Sequence, residues 1–124
     1  MPRFKFGKDQ RLLRASEFQE VFDLNTCKIS HPNWLLLAKF NTSYGSRLGL
    51  VIGKKNIPTA VGRNYVKRLV RETFRKSDFP HSIDVIFLAR KGADKLNSQD
   101  MALLLQESWC RLRQRCEASK AKNA

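Results

Sequence analysis

Hydrolysis by side chains needs either carboxylates gathered round a metal ion or a placed acid–base group such as histidine. The 124-residue chain has 11 Asp plus Glu and 2 His. Glu20 and Asp23 sit near each other on a predicted helix and read as surface charges. His31 and His81 lie beside prolines, with no partner evident in the sequence. Cys27, Cys110 and Cys116 make an odd set without a C-x-x-C pair, which argues against a disulfide framework and a zinc finger and fits reduced thiols. No phosphate-cradling glycine motif occurs. No residue is therefore assigned a catalytic role, and no residue is read as a metal ligand.

The chemistry that stands out is cationic. Over Gly62–Arg75 the chain reads GRNYVKRLVRETFR. Taking about 100° per residue with Arg63 at zero, Lys67, Arg68, Arg71 and Arg75 fall between roughly 40° and 140°, and Asn64 lies inside that arc. Val66, Leu69, Val70 and Phe74 fall on the opposite side. Glu72 is the only acid from Lys54 to Lys76, against eight cations, so internal ion pairs cannot absorb the charge. Arginine predominates, and its planar fork meets phosphate through two hydrogen bonds. The spacing predicts a helix that buries one face and presents a phosphate-binding row on the other.

The whole chain agrees. A formal net charge of +13 and a pI near 10.2 accompany 42% apolar residues, so a folded core and a polyanionic partner are both expected. No apolar run approaches the ~18 residues of a membrane span. No signal segment is read at Met1–Phe6, and a cytoplasmic protein with no membrane partner is expected.

The elements that must position the row are short. Residues 1–10 read as a basic arm carrying Phe4 and Phe6. Ser16, with Gln19 three residues on, suggests an N-cap and a helix from about Glu17 to Leu24 with Phe18, Val21 and Phe22 on one face. Trp34–Phe40 reads as a strand. Asn41–Ser46 is turn chemistry, and Arg47–Ile52 reads as the return strand of a hairpin. Lys54-Lys55-Asn56 is a basic loop before the helix that Pro58-Thr59 opens. Ile83–Ala89 is a strand apolar enough to be central. Ser98 reads as the N-cap of a last helix, with a frayed tail from about Ala118. One domain over residues 1–124, of α+β or α/β type, follows.

These blocks also resemble a known family. Gly49–Lys55, then Ala60-Val61-Gly62-Arg63-Asn64, then Val66–Arg75 look like the signature of the bacterial ribonuclease P protein subunit. Arg11-Leu12 with Phe18, Val21 and Phe22 resembles that family's first helix, and Asp84–Lys91 its strand ending in a basic turn. The resemblance covers roughly residues 11 to 115. It implies an α+β domain ordered α-β-β-β-α-β-α, ribosomal protein S5 domain 2-like, with one central sheet and a left-handed β-α-β crossover. It implies a protein that binds a catalytic RNA, one to one, and assists metal-dependent removal of the 5′ leader from precursor tRNA. The catalytic centre would lie in the RNA, Mg²⁺ would be held mainly by RNA, and no organic cofactor or protein partner is implied.

By position, Arg63, Asn64, Lys67, Arg68, Arg71 and Arg75, with Lys54 and Lys55, match the surface that faces the catalytic RNA. Phe18 and Phe22 match the leader cleft, with Trp34 and Lys39 expected beside them; core packing is the alternative for the two phenylalanines. Arg11, Arg14, Arg90 and Lys91 are expected as further basic contacts. The chain departs from the family pattern at Tyr65, where arginine is usual, and at Leu37, where an aromatic is common. Tyr65 either stacks on a base or caps the core, and Trp34 or Phe40 is available to compensate at Leu37. Two other functions fit the charge alone: a ribosomal or assembly protein without a role in cleavage, and a protein-only nuclease that cleaves RNA with metal alone.

Overall fold

The computed structural model describes residues 11–12, 14–41 and 45–122. The basic arm, with Phe4 and Phe6, lies outside the described residues. Helix α1 (Ala15–Leu24) leads into β1 (Cys27–His31), β2 (Trp34–Phe40) and β3 (Arg47–Val51); α2 (Ala60–Lys76), β4 (Ile83–Ala89), a 3₁₀ turn at Ala93–Lys95 and α3 (Ser98–Lys122) follow. The four strands form one mixed sheet in the order β1-β2-β4-β3.

Two expectations change here. Trp34–Phe40 and Arg47–Val51 do not form a hairpin. β4 lies between them, antiparallel to β2 and parallel to β3. The hairpin is β1–β2, turning at Pro32-Asn33. Cys27–His31 carries only a weak apolar signal in the sequence, because its buried positions alternate with Lys28 and Ser30 on an edge strand. β4 is central, as its apolar run implied, and its parallel pairing with β3 requires the α2 crossover.

Side chains of successive strand residues point to opposite faces. Trp34, Leu36, Ala38, Val85 and Phe87 join Val66, Leu69, Val70 and Phe74 of α2 and Met101, Leu105, Trp109 and Leu112 of α3 in the main core. The apolar stripe predicted for α2 is the stripe that is buried. On the other face Leu37 and Ile86 meet Leu12 and Val21 in a smaller cluster under α1.

The helix ends differ in detail from the sequence reading. Arg14, not Ser16, is the N-cap of α1, and its N–H donates to Glu17 Oε1 at 2.9 Å. Thr59 caps α2, accepting from the Gly62 N–H at 3.0 Å. Asn97, not Ser98, caps α3, its Oδ1 accepting from the Asp100 N–H at 2.8 Å. The helix continues to Lys122, and Lys120 Nζ sits 4.9 Å from the centroid of the Phe40 ring.

Two buried indoles are satisfied in the same way. Trp34 Nε1 donates to Ser108 Oγ at 3.0 Å, and that hydroxyl donates to the Leu104 carbonyl at 2.9 Å. Trp109 Nε1 donates to Thr73 Oγ1 at 2.9 Å, and Thr73 donates to the Leu69 carbonyl at 2.9 Å. His31 stacks on Trp34 with ring centroids 4.1 Å apart and accepts at Nδ1 from the Asn33 N–H. Burial, and then Arg111, lowers its pKa. His31 therefore has partners that the sequence did not reveal. The cysteines are free. Cys27 and Cys116 Sγ lie 3.0 Å apart in the core, and burial pushes the Cys116 thiol pKa far up, which keeps it protonated and unreactive.

Ser108→Ala strands the Trp34 indole N–H in the core. It should cost about 1–3 kcal/mol, read as a lowered urea midpoint at unchanged slope. An unchanged midpoint would mean that the indole finds another acceptor.

Candidate nucleic-acid interface

The basic loop and α2 form one surface. Gly53 O accepts from the Asn56 and Ile57 N–H groups at 3.3 and 3.0 Å, a turn that leaves Lys54 and Lys55 exposed while Ile57 is fully buried beneath it. Arg63 Nη1 donates to the Ile57 and Pro58 carbonyls at 3.0 and 3.1 Å. Its guanidinium thus ties the loop to the start of α2, a positioning role that charge counting did not suggest.

Arg11, Asn64, Lys67, Arg68, Arg71, Glu72 and Arg75 line a shallow open cleft of about 370 Å³. All five α2 positions of the predicted row other than Arg63 are brought together there. Arg11 joins them because it bridges Leu48 at the outer edge of β3, where Leu12 N donates to Leu48 O at 3.0 Å. Burial, and then the charge of Arg11, lowers the Arg71 pKa. Among the described residues Glu72 is the single carboxylate in this lining. Cations gathered in one cleft repel one another, as Arg11 does Arg71, and a row of phosphates is the kind of ligand that relieves such repulsion.

Tyr65 caps the core. Its hydroxyl donates to the Leu96 carbonyl at 2.7 Å, its ring packs against the main cluster, and Arg68 Cζ lies 5.9 Å from the ring centroid.

The second surface is the sheet face under α1. The strand registers set three rows across it. Lys39, Asp84 and Arg47 form one row, and Lys28, Leu37, Ile86 and Gly49 the next. Ser30, Leu35, Leu88 and Val51 form the third. The first row is tied to α1 by charge. Arg47 donates to Asp84 Oδ1 and Oδ2 at 2.9 and 2.8 Å and to Glu17 Oε2 at 2.7 Å, and Asn41 Nδ2 donates to Asp84 Oδ1 at 2.7 Å. The Asp84 hydrogen bond is the main reason that the Arg47 pKa is raised. Lys39 pairs with Glu20 at 3.3 Å. Over the second row, the Phe18 ring sits on Gly49, where an added Cβ would come 2.5 Å from Phe18 Cε1. Over the third row Leu35 and Leu88 are half-buried and Val51 is exposed, with Phe22 exposed on α1. Lys28 stands on the β1 side. Arg90 lies at the end of β4, its Nη1 donating to Ser30 Oγ at 3.0 Å and to the His31 carbonyl at 2.8 Å.

Trp34 does not belong to this surface. It is fully buried on the opposite face, where Phe40, further along the same strand, is half-buried and meets His81 edge-on. Neither can compensate at Leu37, which is itself 7% exposed in the small core. Arg14 and Lys91 are exposed, at the start of α1 and just after β4. The sequence reading missed Gly49, Glu17, Arg47 and Asp84. The signal for the last was present, because an acid inside the apolar run Ile83–Ala89 needs a buried partner.

The fold and these two surfaces define a small α+β RNA-binding domain built round a cationic crossover helix. Residues 6–113 match the family model described as Ribonuclease P. The chain is 40% identical over 120 residues to the ribonuclease P protein component of Marinobacter nauticus, covering 96% of this chain and 90% of that protein. It is 44% identical over 115 residues to that of Saccharophagus degradans, covering 92% and 85%. Its fold is similar to a mutant Staphylococcus aureus RNase P protein with defective mRNA degradation activity, with a TM-score of 0.73 and 25% identity over 89% of this chain and 90% of that one. The chain belongs to the ribonuclease P protein family. A ribosomal or assembly protein, which charge alone allowed, has no reason to match this family along nearly its whole length.

Gly49→Ala forces the Phe18 ring off its seat. Overpacking there should cost about 1–3 kcal/mol in chemical denaturation, and the displaced ring should alter binding of single-stranded RNA. A variant with parent stability and parent single-strand affinity would show that the Phe18 ring is freely displaced and has no part in the cleft.

Proposed function

We propose that the chain is the protein subunit of a ribonucleoprotein endonuclease that removes the 5′ leader of precursor tRNA, with the catalytic centre in the RNA. The observation that carries this reading is the pairing of two unlike surfaces on one small domain. One is an arginine-rich cleft suited to the phosphates of a folded RNA. The other is a half-open apolar trough with aromatic and basic borders, suited to a single strand.

In this reading Lys54, Lys55, Asn64, Lys67, Arg68, Arg71 and Arg75 meet the catalytic RNA, and Arg63 holds the loop that presents the two lysines. Arg11 adds to the same cleft. The leader lies over Leu35 and Leu88 beside Phe18 and Phe22, between Lys28 and Arg90. Aromatic and apolar surface holds unstacked bases without a sequence code, while the basic borders hold the backbone. A leader differs in sequence from one precursor tRNA to the next, so a site of this kind suits it. Mg²⁺ would be held mainly by RNA phosphates. Among the described residues no group of three or more His, Cys, Asp or Glu is arranged to hold a metal ion, and Glu17, Glu20 and Asp84 are engaged with Arg47 or Lys39. Among the described residues no helix is long and apolar enough to cross a membrane, and the cytoplasm, where tRNA precursors are processed, is the proposed compartment.

The test is reconstitution. A bacterial ribonuclease P RNA and a labelled precursor tRNA are incubated at low Mg²⁺ with and without the protein. Cleavage at the mature 5′ end should be rapid only with both components. Cleavage by the protein alone would instead assign it an active site of its own. Arg68→Ala should weaken RNA binding and flatten the slope of log affinity against log salt by about one unit. An unchanged slope would place that side chain off the interface.

A further inference from the structure

The basic row explains one depression on α2 and leaves its neighbour without a use. Val61, Asn64, Tyr65 and Arg68 line a second shallow depression of about 400 Å³. Their spacing of three, four and seven residues puts them on one helix face. Asn64 and Arg68 line both depressions, so the two adjoin. Val61 is 80% exposed, on a helix whose other large aliphatic residues, Val66, Leu69 and Val70, are buried. A single exposed valine needs no explanation. Here, however, it stands one turn from a Tyr65 ring held in place by its 2.7 Å hydrogen bond to the Leu96 carbonyl, with the Arg68 guanidinium beside it.

We propose that this shelf receives one unpaired nucleobase of the RNA whose phosphates occupy the adjoining basic cleft. The inference rests on the reading of α2 as the RNA-facing helix and adds a base contact to its phosphate contacts. Charge selects the occupant. The shelf adjoins a cleft whose described lining holds five cations and one acid, in a chain of net charge +13, so a neighbouring polyanion is favoured over an apolar protein segment. A nucleobase is the apolar, flat part of that polyanion. It can rest against Val61 and the Tyr65 ring while the planar Arg68 guanidinium stacks on it and the Asn64 amide meets its edge. A regular duplex would present sugar and phosphate here, so the shelf selects an unpaired nucleotide in a loop or junction. Tyr65 then has two uses: its hydroxyl caps the core, and its ring face is the shelf.

The experiment measures binding of a bacterial ribonuclease P RNA over a salt series for Val61→Ser, Tyr65→Ser, Tyr65→Phe and Arg68→Ala. Val61→Ser and Tyr65→Ser should each weaken binding about five- to tenfold, at the low end of the range for base stacking. Their salt slope should match the parent, because no cation is removed. Tyr65→Phe keeps the ring and should recover most of what Tyr65→Ser loses. A benzophenone side chain at position 61 should cross-link to a nucleotide that is unpaired in the RNA. Parent affinity in both serine variants, with Arg68→Ala still weakened, would overturn the shelf and leave α2 facing RNA. A cross-link confined to duplex, or a reduced salt slope in Val61→Ser, would also overturn it. Parent affinity in Arg68→Ala as well would overturn the reading of α2 and the shelf together. If Tyr65→Ser melts early, exposed Val61→Ser carries the test alone.

Discussion

Asp84 is a carboxylate placed in the middle of the central strand, 1% exposed. A buried charge is tolerated only with a well-placed partner and further hydrogen bonds. Arg47 provides two of these bonds and Asn41 a third. Arg47 can do so because β3 runs parallel to β4 with Arg47 opposite Asp84. The same guanidinium reaches Glu17, whose other oxygen accepts the N–H that starts α1. One arginine therefore fixes a strand register and anchors a helix to the sheet. α1 is held over the charged row and the Leu37–Ile86–Gly49 row, and the row of Leu35, Leu88 and Val51 stays open.

The opposite face obeys a different constraint. There the sheet needs a large apolar cover, which α2 and α3 supply with Val66, Leu69, Val70, Phe74, Leu105 and Trp109. Burying that stripe turns the polar arc of α2 outward. The cationic row is thus a consequence of packing as much as of composition. Residues 11 and 12 cross the outer edge of β3 on their way to α1, which pairs an otherwise open edge and brings Arg11 to the α2 cleft. The two surfaces are joined through this short segment.

The strongest elements were legible in the sequence because their patterns are long. α2 carries its apolar stripe from Val66 to Phe74, and β4 is a seven-residue strand that is apolar except at Asp84. Pairing was less legible. Trp34–Phe40 and Arg47–Val51 are adjacent in the chain, and nothing local says that a strand arriving thirty residues later separates them. β1 was hidden by its polar alternate residues. The far-face position of Trp34 is itself legible in the sequence. Trp34 and Lys39 are five residues apart in one strand, and an odd separation puts their side chains on opposite faces. Phe18 and Lys39 do share the α1 face, so Trp34 had to leave it. Gly49 gave no warning, since its meaning depends on a ring that comes from another element.

The arginines of α2 show how stability and recognition are divided along one helix. Leu69 and Arg68 are adjacent in the chain, yet one is buried in the core and the other exposed. Arg63 does both kinds of work at the helix start, where its guanidinium closes the loop on two carbonyls. Further along, Arg71 and Arg75 each have Nε buried while their side chains remain half-exposed in the cleft. The stems are thus partly packed, and both side chains line one cleft. An arginine positioned in this way loses less conformational entropy when it meets a phosphate than one swinging freely in water. The packing that stabilises the helix thus also preorganises the row, and the closeness of like charges along it favours the arrival of a polyanion.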